Sequence, residues 1–411
     1  PQGKGTVLCL ITKSLGEDFL NTSLKLVVLL ACGHMLTDFY TNFVPVLLPM
    51  LMERLDMSLT TSGMLVLAMS IASNVLQLAF GCWQDKYNLS SLLLWVIPLG
   101  ALAICGIGWA NSQPLLFLIV ILNGLAVAAF HPLGSTLVTR AASDGKLGQK
   151  MSYYLTGGNF GFAAAPLAVV WFINAFPLES LPVLVLPALL LSFLYWHNGL
   201  QHLDTRKGQK LPDADAPQHT NKAAWMSRLL KSNRSILLLN VAMALRSWTQ
   251  MTAAAFLPLF LMGHGVSALM AGSLLSFFLA GSVAGSLAGG WLGDRFGHKP
   301  TAVSMLSFAA IPTAVFYLSG ELNILTLIAL FLIAACLMGA QPSSIIWAQR
   351  LLPQHEGVAA SMMMGLSFAL GSVGVAISGA IADQIGLDAA MLMTIVPAAL
   401  AALIAAITPS S

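Results

Sequence analysis

Charged side chains are scarce in this chain. Asp, Glu, Lys and Arg make up 9% of its 411 residues, where a soluble domain carries about 25%. Cysteine is scarce too: Cys9, Cys32, Cys82, Cys105 and Cys336 are scattered, with no CxxC pair. An odd set buried in apolar runs reads as packing, not as a disulfide frame or a zinc site. No Walker sequence is present, and Gly100-x5-Gly106 lies inside an apolar run with no strand before it. Nucleotide-driven work therefore has no motif to use. His298 and His355 lack metal-ligand spacing, and a net charge of +3 gives no basis for nucleic-acid binding. No enzyme, cofactor or metal centre is expected.

What the chain has is apolar length. Hydrophobic residues make up 57%, and the mean hydropathy is +0.82. This excludes disorder, a coiled coil and a soluble enzyme, and predicts an all-α polytopic membrane protein. A spanning helix takes about 20 mostly apolar residues. Twelve such segments are expected, near 24–52, 59–83, 91–110, 114–138, 149–174, 180–198, 234–262, 267–292, 301–319, 323–348, 357–382 and 387–408. The stretch 199–233 is polar and divides them six plus six. The expected organisation is an arm at 1–23, a six-helix bundle at 24–198, a linker at 199–233 and a second bundle at 234–411. Thr6–Ile11 is too short for the apolar core of a signal peptide and Leu24–Met52 is too long, so 1–23 reads as a short cytoplasmic arm.

Lys and Arg set the orientation. They crowd the central stretch and the loops after even-numbered segments, as in Lys86, Arg140, Lys146, Lys150, Arg206, Lys207, Arg295, Lys299 and Arg350. The loops after odd-numbered segments carry Arg54. Both termini are expected in the cytoplasm.

The two halves repeat. Pro49 matches Pro258, Gly81-x3-Asp85-Lys86 matches Gly290-x3-Asp294-Arg295, His131-Pro132 matches Gln341-Pro342, Arg140 matches Arg350, Ser152 matches Ser361 and Gly157 matches Gly365. The offsets all fall between 208 (365 − 157) and 210 (350 − 140). Six intervening helices give both copies the same orientation, a parallel repeat of the kind secondary transporters use. In the repeated loop, Gly81 and Gly290 are expected to let a neighbouring helix approach closely. An acid at a helix end can accept from the N-terminus of an adjacent helix. Gly81, Asp85, Lys86, Gly290, Asp294 and Arg295 are therefore candidate gate residues.

The second copy, Gly290-Trp-Leu-Gly-Asp294-Arg295-Phe-Gly297-His298-Lys299, resembles the signature loop of the major facilitator superfamily; in the first copy Asn88 replaces the glycine. Gly33-His34-Met-Leu-Thr-Asp38, Phe130-His131-Pro132 and Gly157-Gly158-Asn159-Phe160-Gly161 resemble the fosmidomycin-resistance branch of that superfamily, although Leu133 stands where the branch often has Glu. Gly157-x3-Gly161-x3-Ala165-Pro166 is similar to a segment-five pattern of drug–proton antiporters. The resemblance implies twelve helices in two pseudo-symmetric halves, and drug or antibiotic efflux across a bacterial inner membrane. It also implies a cavity lined by segments one, four, seven and ten.

A charge at the bilayer centre costs roughly 2.5–3.5 kcal/mol on insertion scales, so buried ionisable residues mark candidate chemistry. They are His34, Asp38, His131 and Arg246, all in cavity-lining segments. His34 and Asp38 are four apart and share a helix face, which Asn42 extends. A carboxylate beside an imidazole can relay a proton, so Asp38 and His34 are candidate coupling residues, and His131 is a further candidate. Asp38 could instead be tied to Arg246. His131 could equally bind substrate or satisfy the helix broken at Pro132. The planar fork of Arg246 suits a carboxylate or phosphate; its alternative is the pair with Asp38. Asn42, Asn159, Trp248, Gln250, Gln341 and Trp347 are further candidates for the substrate pocket. The expected function is proton-coupled efflux of small organic or anionic compounds by a monomer. A metabolite importer or uniporter and a non-transporting receptor are the alternatives.

Overall fold

In hydrocarbon, backbone polar groups have no water to turn to, and helices satisfy them within one segment. The computed structural model describes residues 24–141, 147–204, 234–319, 321–352, 359 and 362–409. The expected arm at 1–23 lies outside them, as does most of the expected linker. The described residues form twelve long helical stretches. In the first half these are α1 (Leu24–Leu55), α2 (59–86), α3 (Ser90–Trp109), α4 (Gln113–Ala141), α5 (Leu147–Ala175) and α6 (Leu178–His197). In the second they are α7 (Arg234–Gly263), α8 (Ala268–Phe296), α9 (His298–Ser319), α10 (Ile324–Leu351), α11 (Met362–Ile385) and α12 (Leu387–Ile407).

Eleven of these are long and apolar enough to cross a bilayer. The expected span at 234–262 differs in kind. Helix α7 has 30 residues, which is length enough, but Asn240, Arg246, Ser247, Thr249, Gln250 and Thr252 make it polar. All six are buried inside the bundle. Polar groups are tolerated there because they meet protein partners rather than lipid.

Prolines and π-turns lie within several of the helices. Pro49 and Pro258 lie inside α1 and α7, and Pro132 and Pro342 lie inside α4 and α10, so the sequence repeat places its prolines in matching helices. A π-turn spans Ile71–Val75 in α2 and another spans Met362–Leu366 in α11. One buried core runs through both halves, with Phe43, Leu47, Phe130, Phe256, Phe278 and Leu330 among its members. A second cluster, around Ile236, Leu306, Trp347 and Met363, lies within the second half.

The halves meet through α2 against α11, α5 against α8 and α1 against α7. The closest approaches lie at one end of the bundle, where the 55–59, 175–178, 263–268 and 385–387 connections also lie. There Gly379 of α11 presses on the Leu59–Thr60 backbone, where a Cβ would stand 2.8 Å from the Leu59 carbonyl carbon. The Asp383 carboxylate accepts from the Leu59 and Thr60 backbone N–H groups, each at 2.8 Å. The Leu167 N–H of α5 donates to Ser276 Oγ of α8 at 3.1 Å.

Candidate functional site

Helix α1 presents His34 and Asp38 one turn apart. Asp38 Oδ2 lies 3.3 Å from His34 Nε2, and Oδ1 lies 3.2 Å from His131 Nε2 on α4. His34 Nδ1 donates to the Tyr154 carbonyl oxygen of α5 at 2.9 Å. The Tyr154 ring stacks on the imidazole, with centroids 4.3 Å apart, and His131 meets His34 edge-on at 4.9 Å. Three helices therefore build one carboxylate–bis-imidazole cluster. One ligand atom from each of His34, Asp38 and His131 lies within 4.8 Å of the others, so the cluster is compact enough to share a small cation, a proton included.

Gly158 makes this packing possible. A Cβ there would stand 2.6 Å from both Asp38 Oδ2 and His34 Nε2, so only glycine lets α5 sit this close. Asn42 lies at the turn interrupting α1, and its Nδ2 donates to the Phe162 carbonyl at 2.8 Å. It ties α1 to α5.

In the second half, Arg246 projects into the bundle from α7. It is 0% exposed. Its Nη1 lies 3.0 Å from Met338 Sδ, Nη2 donates to Ser247 Oγ at 2.9 Å, and the guanidinium lies 5.0 Å from the Phe368 ring centroid. Its Nε has no hydrogen-bond partner, and among the described residues no carboxylate pairs with it. The alternative of an Asp38–Arg246 ion pair is thus not what this conformation contains; both oxygens of Asp38 are engaged by histidines.

The remaining pocket candidates scatter. Gln250 Nε2 donates to Ser282 Oγ at 2.9 Å and Gln341 Nε2 to the Met363 carbonyl at 2.9 Å, leaving both Oε1 atoms buried and unpartnered. Trp248 Nε1 donates to Ser378 Oγ on α11 at 2.8 Å, so its ring is a packing element between α7 and α11. Trp347 donates to the Pro409 carbonyl at 3.2 Å and lies under Lys299. Asn159 is exposed, turned away from the cluster that its neighbour Gly158 faces.

The gate loop needs a correction. A Cβ on Gly81 would meet nothing within 4 Å, and one on Gly290 would meet Pro342 Cβ at 4.0 Å. Close approach in α8 falls instead on Gly289, against the Gly339 backbone, and on Gly293, against Ser343 and His298. One residue is about 100° of helix, which turns Gly290 off the contact face. Asp294 and Arg295 are exposed at the end of α8, with Arg295 over Trp291 and Phe296. The side chains of Asp85 and Lys86 lie outside the described residues. Tyr154, Phe368 and Asp383 were not singled out from sequence. For Asp383 a signal exists: Gly379-x3-Asp383-x2-Gly386 has the spacing of Gly290-x3-Asp294-x2-Gly297.

Two six-helix halves with buried ionisable groups facing the bundle interior define a polytopic membrane transporter. Residues 30–373 and 239–410 match the model of the Major Facilitator Superfamily, and the chain belongs to that family. It is 26% identical over 385 residues to the fosmidomycin resistance protein of Escherichia coli (strain K12), covering 89% of this chain and 88% of that one. It is 27% identical over 386 residues to the uncharacterized MFS-type transporter YfnC of Bacillus subtilis (strain 168), covering 90% of each. Its fold matches a bacterial homologue of the human lysosomal transporter Spinster, inward-facing and unoccupied, with a TM-score of 0.76 at 15% identity, over 95% of this chain and 98% of that one.

Proposed function

We propose that the protein is a proton-coupled exporter of small organic anions, working by alternating access. One observation carries the reading. The first half holds a carboxylate with two imidazoles, and the second holds a buried arginine without a carboxylate partner among the described residues. The first arrangement suits a proton and the second an anion. Each ligand then has its seat on a different half, and rocking of the halves moves both.

The distribution of Lys and Arg places the joined end of the bundle outside the cytoplasm and both termini within it. On that reading this conformation is closed to the outside, and 199–233 is a cytoplasmic linker between domains 24–198 and 234–411. The fosmidomycin resistance relative supports efflux as the direction, in a bacterial inner membrane. Asp38, His34 and His131 are the proposed coupling residues, and Arg246 is the proposed anion side. Asp294 is proposed to close the cytoplasmic end in the opposite state.

The test is a screen in reconstituted vesicles with an imposed pH gradient, comparing candidate anions with neutral analogues. Anion movement accompanied by opposite proton flux is expected. Proton flux that no anion alters would overturn the proposal; gradient-independent equilibration would make the protein a uniporter.

A further inference from the structure

We infer that Asp383 is a clasp that holds the two halves together at the 55–59/385–387 end, built as a second copy of the signature-loop helix end. The two ends share sequence spacing, Gly-x3-Asp-x2-Gly, at 290–297 and 379–386. They also share a backbone. Helix α8 ends at Gly297 with φ 95 and ψ 147, and its N–H returns to the Gly293 carbonyl. Helix α11 ends at Gly386 with φ 93 and ψ 154, and its N–H returns to the Ala382 carbonyl. A positive φ of this size selects glycine. In both motifs the glycine stop follows three residues after the acid.

The two acids differ in what they touch. Asp294 accepts no hydrogen bond among the described residues. Asp383 engages the other half directly, with one oxygen on the Leu59 N–H and the other on the Thr60 N–H. These belong to the first turn of α2, whose N–H groups have no partner within the helix. Ser58 accepts from the next, Thr61. So two of the unpaired donors of a first-half helix are satisfied by a second-half carboxylate, with the positive end of the helix dipole adding to the attraction. Gly379, one turn before the acid, lets the chains approach closely enough for both bonds. When the halves part at this end, all of these contacts break together. Asp383 and Asp294 are then opposed latches at opposite ends, each favouring one state.

The inference rests on the alternating-access reading only in requiring that the halves part, and its test needs no substrate. Nitroxides are placed at Asn111→Cys in the first half and Glu321→Cys in the second, in a background lacking the native cysteines. Electron–electron distances are measured in lipid nanodiscs. The parent is expected to favour the short distance. Asp383→Asn and Asp383→Ala should lower the ratio of short to long populations progressively, roughly tenfold for Ala, the scale of a charge-assisted hydrogen bond. Leu59→Pro removes one donor without touching the acid. It suits the first helical position, and Ser58 already has the extended backbone, φ −74 and ψ 164, that precedes proline. It should lower the ratio too. An unchanged ratio in Asp383→Ala, or in both Asp383→Asn and Leu59→Pro, overturns the clasp. A shifted ratio without any anion–proton exchange in vesicles keeps the clasp and removes the proposed function.

Discussion

His34 donates its Nδ1–H to the Tyr154 carbonyl oxygen and carries the Tyr154 ring stacked on its face. A carbonyl oxygen only accepts, so the hydrogen is on Nδ1 and Nε2 is turned toward Asp38. Helix α5 thereby fixes how helix α1 presents its imidazole to the carboxylate.

Gly158→Ala tests that arrangement. Its methyl would collide with Asp38 Oδ2 and His34 Nε2, and overpacking of this kind costs roughly 1–3 kcal/mol. Expression should persist while gradient-driven proton flux in vesicles falls. Tyr154→Phe should be tolerated, because the Tyr154 hydroxyl is buried without a partner. Full flux in Gly158→Ala would mean that the cluster need not be this tight.

Arg246→Met should give a protein at least as heat-stable as the parent. A buried charge without a counter-ion carries a desolvation penalty that an apolar side chain of similar volume does not, and the groups around Arg246 are a thioether, a hydroxyl and a ring. Anion transport should be lost, and Arg246→Lys should not restore it, because a point charge lacks the planar fork. Melting curves and vesicle uptake check both halves of this prediction. Anion transport at the parent rate in Arg246→Met would remove Arg246 from the site.

Asp38→Asn combined with Arg246→Gln should be no better than the worse single variant. The two charges share no partner among the described residues, and independent sites add. Recovery of transport in the double variant would mean that the charges meet in another conformation.

Cysteines introduced near Asn111, Glu179 and Glu321 should be labelled by an impermeant reagent from outside intact cells, and one at Lys207 should not. Outside labelling at Lys207 would invert the orientation.

The spans were legible because long apolar runs are read directly as helices, and the repeat because Pro49/Pro258 and Pro132/Pro342 fall in matching helices. The cluster was half legible. A four-residue spacing put His34 beside Asp38, and His131 was marked by its ionisable side chain in an apolar run, but nothing in the spacing pairs α4 with α1. Tyr154 acts through its main chain, which leaves no residue-type signal. Trp248 and Trp347 carry a side-chain signal of a different kind. An indole N–H inside a bundle needs an acceptor wherever it lies, and Ser378 and Pro409 supply one. Asp383 sat in a motif visible in sequence, but on a helix where a gate was not expected.

The polarity of α7 bears on how the protein is made. Five of its polar side chains have partners later in the chain: Gln250 on Ser282, Arg246 on Met338, Asn240 on the Met362 carbonyl, Trp248 on Ser378 and Thr249 on the Thr394 carbonyl. Lipid alone gives this helix little reason to stay. During synthesis the ribosome must pass Thr394 before the last partner exists, so α7 is held provisionally through the making of the whole second half. A chain truncated within α11 would strand it, exposing a helix that quality-control proteases can extract.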